Sequence, residues 1–353
     1  MHTVEYPIWV WLTFFAVVLA ALFVDIGILN RKSEAPTRKE TFVWAIVWVS
    51  LALGFNAFIY SQFGAFKAKE FFTGYLIELS LSVDNLFVFL LIFSYFGVPK
   101  KYQRRVLFWG IMGALVMRMI MIFSGAALVE RFHWIIYFFG AFLIYTGIKM
   151  LSNEDEAFNP EESAIVSIVT RYIRIKKTYT DDKFVIMEDG KRVGTLLLLV
   201  LIVVEFSDLI FAVDSIPAIF GITTDRFVVY TSNIFAILGL RTFFFLLADM
   251  ADRFHLLKFG LAFVLSFIGA KMLLPLIAEI TLWQFPASSG SAFSAFLVEF
   301  LKGTYSQEVI NISLGVVGGA LLISILLSLI FPAEGETDEE KLIRTLDPDS
   351  EGE

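Results

Sequence analysis

The chain has 353 residues, 58% of them hydrophobic and only 18% charged, with 39 Phe, a mean hydropathy of +0.75 and a net charge of −7. Soluble domains are closer to half apolar and a quarter charged, so the repeated apolar runs of about 20 residues read as an all-α, polytopic membrane protein whose first partner is the lipid bilayer. The absence of cysteine excludes disulfides, iron–sulfur clusters and thiolate metal sites, and a negative balance that includes nine acids after Ala333 offers nothing to nucleic acid.

About nine spans are predicted, near 8–29, 42–62, 71–96, 105–128, 133–151, 194–220, 226–249, 256–279 and 309–331. The first lacks a basic flank and is too long for a signal sequence, so it reads as a retained helix. Basic residues alternate between loops. Arg31, Lys32, Arg38 and Lys39 follow the first span, and Lys100, Lys101, Arg104 and Arg105 follow the third. After the fifth come Arg171, Arg174, Lys176, Lys177, Lys183, Lys191 and Arg192. The other loops carry only Lys67 and Lys69, then Arg131, Arg226 and Lys302. The positive-inside rule places the N-terminus outside and the C-terminus in the cytoplasm.

Within the loop, Ile165, Ile168, Val169, Tyr172 and Ile173 recur at helical spacing beside basic residues, which predicts a helix on the inner leaflet. Phe184 to Met187 and Lys191 to Val193 flank Glu188-Asp189-Gly190, a hairpin pattern. The tail from Glu334 to Glu353 has the composition of a disordered segment.

An internal repeat carries the functional signal. Glu78-Leu-Ser-Leu-Ser-Val-Asp84-Asn85 aligns with Asp208-Leu-Ile-Phe-Ala-Val-Asp214-Ser215. Downstream, Arg118 matches Arg241, Arg131-Phe-His133 matches Arg253-Phe-His255, and Lys149-Met-Leu151 matches Lys271-Met-Leu273. Each copy holds three helices, an odd number, so the second enters the membrane inverted, the arrangement of secondary transporters. The expected organisation is two N-terminal spans (1–70), a first three-helix repeat (71–151), a cytoplasmic loop (152–193), the second repeat (194–280), an outer segment with the last span (281–332) and the acidic tail (333–353).

Acids inside a membrane cost at least ~2.5–3.5 kcal/mol each, so they need partners, water or protons. Glu78, Asp84, Glu205, Asp208 and Asp214 offer hard oxygens suited to Mg²⁺, Ca²⁺ or Mn²⁺ rather than Cu or Zn. On a straight helix, acids six apart stand about 120° and ~9 Å from each other, so one helix cannot aim both at one ion. Pro217, three residues after Asp214, is positioned to remove a helix hydrogen bond and free carbonyls. Arg118 and Arg241 read first as ion-pair partners of the acids, Asn56 and Asn233 as interhelical hydrogen-bonders, and Asp25 as either exposed or part of an exit path.

At these residues the chain resembles the TerC family, in particular its Alx-like members, within a wider group that includes lysine exporters. The resemblance is carried by Tyr75-Leu-Ile-Glu-Leu-Ser-Leu-Ser-Val-Asp-Asn85, by Glu205-Phe-Ser-Asp-Leu-Ile-Phe-Ala-Val-Asp-Ser-Ile-Pro217, by Thr231-Ser-Asn-Ile-Phe-Ala-Ile-Leu-Gly-Leu-Arg241 and by Ile268-Gly-Ala-Lys-Met-Leu273. It implies an inner-membrane exporter of Mn²⁺, with the metal as cargo rather than cofactor, held by Glu78, Asp84, Asn85, Glu205, Asp208 and Asp214. Proton counter-transport through Glu205, which Tyr75 replaces in the first copy, is the expected coupling. A proton-coupled exporter of another cation or a small organic solute is the alternative. An intramembrane aspartyl protease is set aside because its Tyr-Asp and Gly-x-Gly-Asp signatures are absent, so no enzyme is expected.

Overall fold

The computed structural model describes residues 6–29, 38–151, 164–176, 178–180, 182–188, 190–248, 256–284, 292–302 and 304–331, with the side chains of Asp25 and Asp84 outside that description. Helix α1 (Ile8–Leu29) leads into α2 (Arg38–Tyr95), a long run broken at Gly64, whose φ of 82° and ψ of 176° belong to a region open essentially to glycine alone. Helix α3 (Lys100–Arg131) starts after Pro99, and α4 (Ile135–Leu151) follows it within a short turn.

The loop contains the expected hairpin and a helix that ends at Tyr172, short of the expected Ile173 and of Arg174 and Lys176. Helix α5 (Ala164–Tyr172) precedes β1 (Ile175–Lys176), β2 (Val185–Glu188) and β3 (Lys191–Thr195). The strand order is β1-β3-β2: β2 and β3 form the antiparallel hairpin, and β1 adds a parallel edge that two residues of sequence do not announce. A 2.7 Å hydrogen bond from Lys176 Nζ holds the exposed Glu188 carboxyl below its usual range.

β3 runs directly into α6 (Leu196–Phe220), where the Thr195 hydroxyl accepts from Leu198 N–H and caps the helix. Helix α6 continues through Pro217, so the proline does not break it mid-span as expected. It sits in the last turn, where Gly221 N–H bonds the Pro217 carbonyl and the helix ends. Asp225 then caps α7 (Arg226–Leu238) by accepting from Phe227 and Val228 N–H. Helix α8 (Leu240–Ala248) departs from α7 at 44°. Helices α9 (Leu257–Gln284), α10 (Ala292–Leu301) and α11 (Ser306–Ile330) complete the described chain.

Among the described residues five helices are long and apolar enough to cross a membrane, or six if the bent α7–α8 pair is one span. Helices α1 and α4 are shorter apolar elements by that measure. The count of nine is therefore not reached on length and composition alone, partly because α2 joins two predicted spans in one run. The chain is a multi-span integral membrane protein: Phe23, Trp283 and Ile330 stand 77%, 83% and 66% exposed, which is tolerable only where lipid covers them.

Two polar layers mark the ends of the bundle. At one, Tyr179 donates to the Phe96 carbonyl, Arg105 pairs with Asp182 and its guanidinium covers Phe184, so the sheet lies against the α2–α3 connection. At the other, beyond the C-terminal end of α6, Tyr6 and Lys67 both bind Asp225, and Lys67 also bonds Glu70. Helix α4 packs antiparallel along α9, where a Cβ on Gly147 would stand 2.3 Å from Ser266 Oγ and one on Gly269 2.5 Å from the Gly140 carbonyl.

Candidate functional site: a buried carboxylate–guanidinium cluster

Helices α2, α3, α6 and α7 enclose a polar cluster in the apolar interior. Among the described residues Arg118 on α3 is the largest fully buried side chain, and Glu78, Asp208 and Asn233 are also buried. The guanidinium donates to Glu78 Oε1, to Asp208 Oδ1 at 3.2 Å and Oδ2 at 3.5 Å, and to Ser215 Oγ at 3.2 Å. Asn233 donates to Glu78 Oε2 at 2.9 Å, and Asn85 to Asp208 Oδ1 at 3.5 Å. Glu78 and Asp208, which align in the sequence, thus share one arginine, an ion pair of the kind expected for Arg118, and charge-assisted bonds of this kind make the buried acids tolerable.

Helix periodicity explains who joins. Asn85 lies seven residues after Glu78 and Ser215 seven after Asp208, two turns along one face, so the small polar residue of each copy reaches the cluster. Asp214, six residues after Asp208, points elsewhere: it is partly buried and accepts from Thr146 of α4 at 3.4 Å. Because α6 stays helical, the predicted 120° separation holds. Asp84 is on α2, but its side chain, like that of Asp25, lies outside the described residues. Ser215 was legible from the seven-residue spacing; Thr146 was not, since nothing in α4 marks it as polar-facing.

Glu205 stands one turn before Asp208 and lines a small cavity of about 10 Å³ with Asp208, Arg241, Phe89, Leu240 and Gly110. That is room for roughly one water molecule. Its Oε2 is buried with no hydrogen-bond partner among the described residues. The carboxylate occupies space left by Gly113, where a Cβ would come within 2.0 Å of Oε1. The cavity is chemically a carboxylate-lined pocket beside an acid pair bridged by one guanidinium, able to take a cation or a proton. Among the described residues, which leave out the Asp84 side chain, no three Asp, Glu or His side chains already converge as a metal site.

The model of the integral membrane protein TerC family matches residues 63–310, most of the chain and all of this cluster. The chain belongs to the TerC family. It is 51% identical over 262 residues to an uncharacterized membrane protein, STKORF319, of Myxococcus xanthus, covering 74% of this chain and 82% of that one. It is 46% identical over 313 residues to the putative membrane-bound redox modulator Alx of Escherichia coli K12, covering 85% and 95% respectively. The Alx-named protein of Salmonella typhi is 49% identical over 284 residues, covering 78% of this chain and 88% of its own. No solved structure matches.

Proposed function

We propose that the chain is a transporter that exports Mn²⁺ across the plasma membrane by alternating access, with the cargo held between the two copies by Glu78 and Asn85 from the first and Glu205 and Asp208 from the second, and with Asp84 and Asp214, about 120° around the same helices, as ligands at another position on its path. The observation that carries this reading is the buried pairing of Glu78 with Asp208 through Arg118, matched acids meeting between repeats inside the membrane. Nine spans with two inverted three-helix repeats are part of the proposal.

The α4–α9 crossing supports it. At the offset that pairs Lys149 with Lys271, Gly140, Ile144 and Gly147 correspond to Ala262, Ser266 and Gly269. Gly147 faces Ala262 and Ser266, while Gly269 faces Gly140 and Ile144. Such an exchange of partners is what a two-fold relation produces. The basic loops and the sheet at one end support a cytoplasmic face there, with the N-terminus outside.

Protons are the proposed counter-ion, and Glu205, which has no acidic counterpart in the first copy, is their carrier. The redox-modulator name of the relatives sets a second reading; this chain has no cysteine, so thiol exchange is not its route. Purified protein in liposomes, with acid outside and no membrane potential, is expected to export Mn²⁺ faster than at equal pH. Asp84→Asn and Asp214→Asn are expected to abolish the flux. A wild type that moves no Mn²⁺, or an organic solute or another cation that moves in its place, overturns the manganese reading.

A further inference from the structure

The proposed cargo site already contains a cation. Arg118 holds Glu78 of one copy and Asp208 of the other at once, with Ser215 as a third acceptor. Asn233 and Asn85 engage the same two carboxylates. A divalent ion that takes oxygens of Glu78 or Asp208 therefore competes with the guanidinium, since two cations on one buried acid pair repel strongly where little water screens them. Glu205 differs. Its Oε2 has no partner among the described residues, and it lines the cavity beside Asp208.

We propose that Arg118 is a tethered counter-ion that exchanges with the cargo. A metal ion entering beside Glu205 draws Asp208 away from the guanidinium, and Arg118 reclaims it when the ion leaves. This rests on the reading that the carboxylates hold Mn²⁺. Arginine suits this role because its charge is permanent and its planar fork spans two carboxylates, which a lysine ammonium on a flexible stem does not. The exchange spares the carrier a buried, uncompensated acid pair in the half of its cycle without cargo.

The test compares full-length wild type, Arg118→Lys and Arg118→Met in detergent at pH 8, reading Mn²⁺ binding by equilibrium dialysis and melting temperature with and without Mn²⁺. If Arg118 holds the acids in about 90% of molecules, it lowers the apparent Mn²⁺ affinity about tenfold. Arg118→Met is expected to bind about tenfold tighter than wild type and Arg118→Lys several-fold tighter, each gaining more melting temperature from Mn²⁺ than wild type does. Equal or weaker Mn²⁺ binding by a folded variant overturns the exchange, and if wild type still binds, it leaves the transport reading standing. Wild type that binds no Mn²⁺ overturns both. Should Arg118→Met fail to fold, Arg118→Lys decides by the same measurements.

Discussion

Gly113 lies where a side chain would collide with the Glu205 carboxylate: a Cβ there would stand 2.0 Å from Oε1 and 2.4 Å from Cδ. One helical turn earlier, a Cβ on Gly110 would only touch Val204 Cγ1 at 3.4 Å, an ordinary contact. The two glycines look alike in the sequence and differ in what they face. Gly113→Ala is expected to push Glu205 out of its place and slow the proposed Mn²⁺ efflux by about tenfold or more, given how steeply a misplacement near 1 Å acts at a binding centre. Gly110→Ala, at a residue that also lines the cavity, leaves the Glu205 carboxylate in place and is expected to lose much less. Efflux from liposomes checks both, with melting temperature confirming that each folds; equal loss in the two variants removes the special role of Gly113. The same scale explains why Asn85 and Ser215 meet Arg118 while Asp214 turns to Thr146. Seven residues return a helix to the same face and six do not.

Among the elements, α2 is the one whose form hangs on a single residue. Its backbone at Gly64 takes φ 82° and ψ 176°, which separates the helix that leaves the first loop from the helix that carries Glu78 and Asn85. An L side chain in this region costs about 1–3 kcal/mol. No atom lies within contact range of a Cβ there, so the cost of Gly64→Ala is backbone strain and not a clash. Gly64→Ala is expected to lower stability by that amount and to displace Lys67 from Asp225, since Lys67 is placed by the helix that starts at the break. Denaturant unfolding in detergent reads the loss, and an unchanged midpoint rejects the strained position. Helix α6 shows the opposite outcome. Pro217, expected to break a span, merely ends it, because only the turn after Asp214 remains to be interrupted.

For the whole molecule, orientation is the property most cheaply checked, because the chain has no cysteine to give background labelling. Met187 on β2 is 68% exposed, and Lys302 beyond α10 is also exposed. A membrane-impermeant thiol reagent added to intact cells is expected to label Lys302→Cys and to spare Met187→Cys until the cells are opened. Reversed labelling inverts the proposed topology and, with it, the direction of transport across the cluster. The contacts Tyr179–Phe96 and Arg105–Asp182 tie the sheet to the α2–α3 connection, so both basic loops must answer the reagent alike.

Hydrophobic runs, the acid-x5-acid repeat and the alternation of basic loops are properties of the chain itself. They were enough to determine a helical membrane protein with acids in its membrane-spanning helices, because insertion energy and helix periodicity act locally. The hairpin around Gly190 and the presence of a helix in the loop were legible for the same reason, although that helix ends at Tyr172 and leaves Lys176 to a strand. Which arginine bridges Glu78 and Asp208 was not legible: Arg118 and Arg241 are matched in the sequence, and it is Arg118 that pairs with both acids. Nor was the space that Gly113 leaves for Glu205, nor the turn of Asp214 toward α4. Each of these depends on residues far apart in the chain meeting at distances near 3 Å, and only helix packing brings them there.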